Sequence, residues 1–170
     1  MNFKSLIRDV PNFPKEGVIF KDITLLLQNP SALKQTANAL FHLLEGRKID
    51  KVVGMESRGF IFGPILAEKL NAGFVPVRKP GKLPSTTISE TYDLEYGTDT
   101  LEIHIDGIKK GDRVLIHDDV LATGGTASAA CKLIEKLGGV IVQCNFLLEL
   151  TFLEGNSKIS TYPVKSLIKY

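Results

Sequence analysis

Two stretches of this chain repeat one plan, and that plan constrains the fold more than any other feature. In the first, residues 51–54 (Lys-Val-Val-Gly) form a short apolar strand, and a polar turn, Glu56-Ser57-Arg58-Gly59, follows. Residues 60–70 have helical character, and residues 74–77 return to a strand. In the second, residues 113–117 are a strand, 118–126 a turn, 127–137 a helix and 140–148 a strand. Both helices close on the same phrase, Glu68-Lys69-Leu70 before Gly73 and Glu135-Lys136-Leu137 before Gly138. Lysine in a last turn suits the helix dipole, and glycine supplies the left-handed residue beyond it. Val/Ile-rich strands joined through helices imply a parallel sheet covered on both faces, an α/β fold.

A chain of 170 residues is one domain's worth, so a single domain over residues 1–170 is expected. Lys plus Arg is 21 and Asp plus Glu is 19, a net charge of +2, which argues against a general nucleic-acid binder. No apolar run approaches the roughly 20 residues needed to span a bilayer. The first nine residues lack the apolar stretch of a secretion signal, so the expected compartment is the cytoplasm, without membrane attachment. Cys131 and Cys144 sit in apolar periodic segments, too far apart for a CxxC motif, and read as buried thiols packing like small hydrophobes.

Residues 3–9 read as a short helix ending before Pro11. Residues 11–22 are turn-rich but carry Phe13, Val18, Ile19 and Phe20. A helix begins at Asn29-Pro30, with asparagine as cap and proline first in the helix, and Gly46 ends it. Between the two repeated units lies an insertion, residues 79–104. It opens as a basic loop, Lys79-Pro80-Gly81-Lys82-Leu83-Pro84, and continues as alternating strands with a turn expected at Gly97-Thr98-Asp99-Thr100. Insertions at the carboxyl ends of parallel strands commonly form lids.

The chemistry concentrates in residues 114–126. An apolar strand delivers Asp118 and Asp119, and a turn of Ala122, Thr123, Gly124, Gly125 and Thr126 opens a helix. Glycine lets successive backbone N–H groups point inward. With threonine hydroxyls and a helix N-terminus they make a cradle for a phosphate monoester. Two acids beside a phosphate would repel it unless they served another purpose. Accepting hydrogen bonds from a ribose diol, directly or through Mg²⁺, is such a purpose. Rival phosphate motifs fail: no GxGxxG is present, and Phe60 stands where a P-loop requires lysine.

This stretch resembles the phosphoribosyl-diphosphate signature of the type I phosphoribosyltransferase family, and its wording is similar to the adenine-using branch. Other segments extend the resemblance in family order over nearly the whole chain. Phe13-Pro14 and Gly17 to Ile23 resemble the branch's hood, approximately residues 11–28. Glu56 to Phe60 resembles its pyrophosphate loop. Residues 79–84 and Leu94-Glu95-Tyr96-Gly97 resemble its flexible hairpin lid, approximately residues 79–104.

The resemblance implies a type I phosphoribosyltransferase fold, a parallel-sheet core with a small N-terminal hood and the lid. It implies transfer of a 5-phosphoribosyl group from 5-phosphoribosyl 1-diphosphate to N9 of adenine, giving AMP and pyrophosphate. Mg²⁺ is held by the diphosphate, ribose and water rather than directly by the protein. A homodimer is implied as well. Asp118, Asp119 and Ala122 to Thr126 take the ribose 5-phosphate. Glu56, Ser57, Arg58, Gly59, Lys79 and Lys82 serve the pyrophosphate, with Arg58 counted also as catalytic. Ile19, Phe20 and Lys21 serve adenine. Hypoxanthine-using relatives place an aspartate where this chain has Ala122, so the carboxylate that handles the adenine proton is expected from the lid, at Glu95 with Tyr96 beside it. Lys21 stands where many members have arginine and Ser85 where some have glycine. His117 is expected to play a structural or supporting role.

Two other readings remain open at this level. One is a transferase for a different purine, against which Ala122 argues. The other is a regulator that binds phosphoribosyl diphosphate and controls nucleic acid, against which the small net charge and the lack of a spare domain argue.

Overall fold

The computed structural model describes residues 2–94 and 97–170. The expected catalytic pair, Glu95 and Tyr96, lies outside the described residues. The chain forms two compact units, residues 1–39 and 40–170.

In the first unit, residues 3–9 are not one helix. A single 3₁₀ turn, Phe3–Leu6, gives way to strand β1, Arg8–Pro11, which pairs antiparallel with β2, Ile19–Asp22. Two ion pairs hold this ribbon, Arg8 to Asp22 at 2.5 Å and Lys21 to Asp9 at 2.7 Å. These cross-strand charges, and Val10 opposite Phe20, outweigh the weak helical pattern of so short a segment. Helix α1, Thr24–Gln28, follows, and the Asp22 carboxylate accepts the Thr24 N–H at 2.9 Å. Helix α2, Pro30–His42, starts where Asn29 and Pro30 indicate, and Asn29 Oδ1 accepts the Ala32 N–H at 3.0 Å.

The second unit carries a five-stranded, all-parallel sheet. Its strands are β3 (Lys51–Met55), β4 (Gly73–Val77), β7 (Arg113–Leu121), β8 (Val140–Glu149) and β9 (Val164–Lys169), in spatial order β4-β3-β7-β8-β9. Helix α3, Gly59–Leu70, joins β3 to β4, and α4, Gly125–Lys136, joins β7 to β8. The two connections run in opposite directions along the sheet. Right-handed crossovers therefore place their helices on opposite faces. On one face Val53, Met55, Ile116, Cys144 and Phe146 are buried in one cluster with Ala127, Ala130 and Leu133 of α4. On the other, Phe62 of α3 meets the His117 ring edge-on at 6.4 Å.

Strands β5, Thr87–Asp93, and β6, Thr98–His104, form the inserted hairpin. Thr98, Asp99 and Thr100 do not form the expected turn. Thr98 to Thr100 already pair in β6, and the Leu94 N–H donates to the Gly97 carbonyl at 2.9 Å. Ile88, Glu90 and Tyr92 share one face of β5, and Glu90 pairs with Lys132 and Lys136 of α4 at 3.2 and 2.6 Å. Cys131 and Cys144 are buried as expected. The fold also brings their sulfurs to 3.9 Å as free thiols. Among the described residues no helix is long and apolar enough to cross a membrane.

Candidate active site

The direction in which the connections run along the sheet reverses between β3 and β7, which are hydrogen-bonded neighbours. Open parallel sheets bind ligands beyond the carboxyl ends of such a pair, because the connecting loops part there and leave a crevice. The loops that part here are residues 56–59 after β3 and residues 122–124 after β7. They carry the two motifs picked out in the sequence.

The structure corrects one expected detail. Asp118 and Asp119 do not lie in the turn. β7 continues through them to Leu121, with Asp118 paired to Phe146 and Val120 to Leu148 of β8. The ladder holds both acids on a rigid strand, so their separation and direction are fixed. Asp119 is only 3% exposed, while Asp118 Oδ1 accepts the Asp119 N–H at 2.9 Å. Arg58, from the neighbouring loop, brings Nε to 2.5 Å from Asp119 Oδ2. The expected pyrophosphate arginine and the expected ribose acid thus meet. Burial, and then the charge of Asp119, push the Asp118 carboxyl well above its ordinary range. Burial lifts Asp119 too, and the Arg58 guanidinium works against that lift.

The turn from Ala122 ends at Gly124, which has φ 78° and precedes α4. That left-handed residue aims the start of the helix, and the positive end of its dipole, at the crevice. A cavity of about 70 Å³ is lined by Asp118 and by the turn through Thr126. A larger one, about 480 Å³, opens at the other end of the sheet beside Asp50, Lys69 and Arg113. Its acids, Glu45 and Asp50, are paired with Arg47 and Arg113, and no helix starts from its Gly46 turn, so chemistry rather than size selects the smaller. Gly59 opens α3 against β7. A Cβ there would stand 2.9 Å from the His117 carbonyl oxygen and 3.1 Å from Asp118 Oδ1.

The other expected residues fall as follows. Glu56 is tied to the protein itself: it accepts the Lys79 N–H at 2.9 Å and pairs with Arg78 at 3.2 Å. Lys79 Nζ is paired with Asp99 on β6. Although burial works against its charge, that pairing with Asp99 and the Tyr92 hydroxyl raises the Lys79 pKa. Lys82 donates its backbone N–H to the Lys79 carbonyl at 3.3 Å, folding the basic loop into a turn. Thr126 donates its hydroxyl to Tyr92 at 3.1 Å, which links the hairpin to the start of α4. Within the first unit Ile19 is 55% exposed, and the Phe20 ring meets Phe13 edge-on at 5.2 Å. The Lys21 ammonium is occupied by Asp9.

His117 is fully buried behind the acids. Asn145 donates Nδ2 to the Leu40 carbonyl at 3.3 Å, which turns its Oδ1 toward His117. His117 Nδ1 therefore carries the proton and donates it at 2.6 Å. Burial pulls the imidazole pKa down to about 4, against the opposing Asn145 bond. The unfolded imidazole titrates near 6.5, so between these values the unfolded chain takes up a proton that the folded chain refuses. Folding stability should fall as pH falls, by about 2 kcal/mol between pH 7 and pH 5 from this residue. Asp118 acts in the opposite sense, because a raised carboxyl loses stability as pH rises through its folded pKa. Urea unfolding across this range isolates His117 by comparison with His117→Asn. Equal pH slopes in the two proteins would show that the buried ring is not held neutral.

Comparison with known proteins agrees with this geometry. Residues 22–166 match the family model for the phosphoribosyl transferase domain. The chain belongs to the phosphoribosyltransferase family. It is 65% identical to the adenine phosphoribosyltransferase of Flavobacterium johnsoniae over 100% of both chains. The crystal structure of adenine phosphoribosyltransferase from Thermoanaerobacter pseudethanolicus has a TM-score of 0.97 at 54% identity, covering 99% of this chain and 98% of that one. The Saccharomyces cerevisiae enzyme, solved with adenine and D-2,5-dideoxy-2,5-imino-altritol 1,6-bisphosphate, has a TM-score of 0.92 at 45% identity, covering 97% and 96%. Within the family, the chain belongs to the adenine phosphoribosyltransferases.

One contributor escaped sequence reasoning entirely. Gly155, after β8, lies against the cradle backbone. A Cβ on it would stand 2.1 Å from the Ala122 carbonyl oxygen and 2.8 Å from the Gly124 nitrogen. No local signal marks such an approach, because the two segments are distant in sequence and each reads as an ordinary turn.

Proposed function

We infer that this chain transfers the 5-phosphoribosyl group of 5-phosphoribosyl 1-diphosphate to N9 of adenine in purine salvage, giving AMP and pyrophosphate. The observation that carries the reading is the meeting of Arg58 with Asp119 beside the Gly124–Gly125 turn, at the carboxyl ends of β3 and β7. A phosphoribosyl diphosphate has three parts, and this crevice offers a group suited to each. Backbone N–H groups and hydroxyls of residues 122–126 suit the 5-phosphate. Asp118 and Asp119 accept hydrogen bonds from the ribose diol. Arg58, with Ser57, Gly59, Lys79 and Lys82, stabilises the charge that develops on the departing pyrophosphate. Glu56 supports this loop by holding Arg78 and the Lys79 backbone.

Ile19, Phe20 and Lys21 read adenine, Phe20 through its ring and the other two through backbone groups. Lys21 is not needed for its charge there, since Asp9 already pairs with it. Glu95 handles the adenine proton, with Tyr96 beside it. The hairpin serves as a lid that keeps water from the oxocarbenium-like transition state.

Adjacent carboxylates are hard oxygen donors, and Asp118 and Asp119 suit the water shell of a Mg²⁺ that arrives with the diphosphate. When bound, that ion supplies charge neutralisation on the leaving group. The proposed setting is the cytoplasm, where thiols such as Cys131 and Cys144 stay reduced. The full chain acts as one phosphoribosyltransferase domain, and the resemblance supports a homodimer.

Replacing Asp119 by alanine should weaken AMP binding roughly tenfold to a hundredfold, the worth of a buried hydrogen bond to a charged group. Calorimetric titration reads this directly. Unchanged AMP affinity would remove the acid from the ribose site.

A further inference from the structure

The cradle is not held by its own turn alone. After β8 the chain passes through two 3₁₀ turns, Thr151–Leu153 and Gly155–Ile159. This segment is tied down at both ends. The Leu150 N–H donates to the Leu121 carbonyl at 2.9 Å, and the Thr151 N–H donates to the Tyr170 carbonyl at 3.0 Å. Ile159 is fully buried in the same cluster as Ala127 and Ala130 of α4. Between these anchors Gly155 is pressed onto the cradle, and the contact is mutual. A Cβ on Gly155 would stand 2.1 Å from the Ala122 oxygen, and a Cβ on Gly124 would stand 2.2 Å from the Gly155 oxygen. Ordinary contact begins at 3.4 Å, and every atom met is backbone, so no rotamer change can relieve the overlap.

We propose that Gly155 is a positioning residue for the phosphate cradle: the Gly155–Ile159 turn backs residues 122–124 and sets the course of the N–H groups that receive the ribose 5-phosphate. The proposal rests on the function inferred above. Its physical basis is that a hydrogen-bonding cradle works only when its donors are fixed before the ligand arrives. The Gly124–Gly125 pair is free to adopt many conformations, and glycine gains nothing from its own side chain to choose among them. A second segment, anchored in the core and touching the turn without a Cβ between, makes that choice. An alanine at Gly155 must push the turn away from Ala122 and Gly124. A misplacement near 1 Å of groups that contact the reacting substrate can cost about a hundredfold.

The test separates the phosphate from the rest of the ligand. AMP and adenosine differ only in the 5-phosphate, so the ratio of their affinities measures the cradle. In wild type AMP should bind much more tightly than adenosine. In Gly155→Ala the ratio should shrink roughly tenfold to a hundredfold, with adenosine affinity unchanged. A general loss of structure would weaken both ligands alike and leave the ratio in place. If wild type binds the two equally, the cradle reading itself fails and the proposal falls with it. If wild type favours AMP and Gly155→Ala keeps the full ratio, only the positioning role is refuted. Hydrogen exchange on the wild type needs no variant to fold. AMP should slow amide exchange at Gly155 to Ser157 together with residues 122–126. Protection confined to residues 122–126 would overturn the proposal.

Discussion

Adenine should be converted about 10⁴-fold more efficiently than hypoxanthine. Adenine presents a donor at N6 and an acceptor at N1, and hypoxanthine exchanges both. Backbone groups at Ile19 and Lys21 cannot exchange in response, unlike a hydroxyl that rotates. The wrong base would therefore leave hydrogen-bonding groups in the complex unpaired, and sites built on such pairing reject the analogue by about 10⁴-fold to 10⁵-fold. The Lys21 ammonium is engaged by Asp9 at 2.7 Å. Steady-state kcat/KM for the two bases reads the ratio. Comparable efficiency with both would remove Ile19 and Lys21 from base recognition.

Glu95→Gln should slow the chemical step by about 10²-fold to 10⁴-fold, the usual contribution of a placed proton-transfer group. Nucleophilic attack by N9 requires loss of a proton. Ala122 has no proton chemistry, and Glu56 is committed to Arg78 and the Lys79 N–H. In the proposed function Asp118 and Asp119 serve the ribose. AMP affinity should change little in Glu95→Gln, because the phosphate and diol contacts lie elsewhere. Single-turnover kinetics separate the chemical step from product release. An undiminished chemical step would leave Glu95 an ordinary hairpin acid and shift the search to water or the departing pyrophosphate. Tyr96→Phe, measured in parallel, shows whether the neighbouring phenol relays the proton.

What the sequence revealed, and what it hid, follows from the range of the forces involved. The two strand–helix–strand units are legible because hydrophobic period is local; Gly138, at φ 82°, closes α4 as expected, whereas after α3 Asn71, at φ 51°, takes the left-handed position and Gly73 already opens β4. The Asn29-Pro30 helix start was legible for the same reason. The apolar run stops at Ile116, which predicts a turn at the acids. Parallel pairing with β8 nevertheless carries the strand on to Leu121, and ladder hydrogen bonds leave no trace in side-chain polarity. Residues 3–9 show only a weak helical pattern, and the cross-strand ion pairs that make Arg8–Pro11 a strand leave no local signature. β9 went unforeseen, since Val164–Lys169 mixes polar and apolar residues at the sheet's edge. At the site, Asp118, Asp119 and the Thr-Gly-Gly-Thr turn were legible as a composite motif. The Arg58–Asp119 pair and the Gly155 contact were not, because both depend on how separate loops meet.

Product formation tests the adenine transfer most directly. The protein is mixed with adenine, 5-phosphoribosyl 1-diphosphate and Mg²⁺, and AMP and pyrophosphate are quantified together. Parallel reactions contain hypoxanthine, guanine or xanthine. AMP and pyrophosphate should form in equal amounts from adenine, with little nucleotide from the other bases. Binding of phosphoribosyl diphosphate without turnover, or conversion of another purine in preference to adenine, would contradict it.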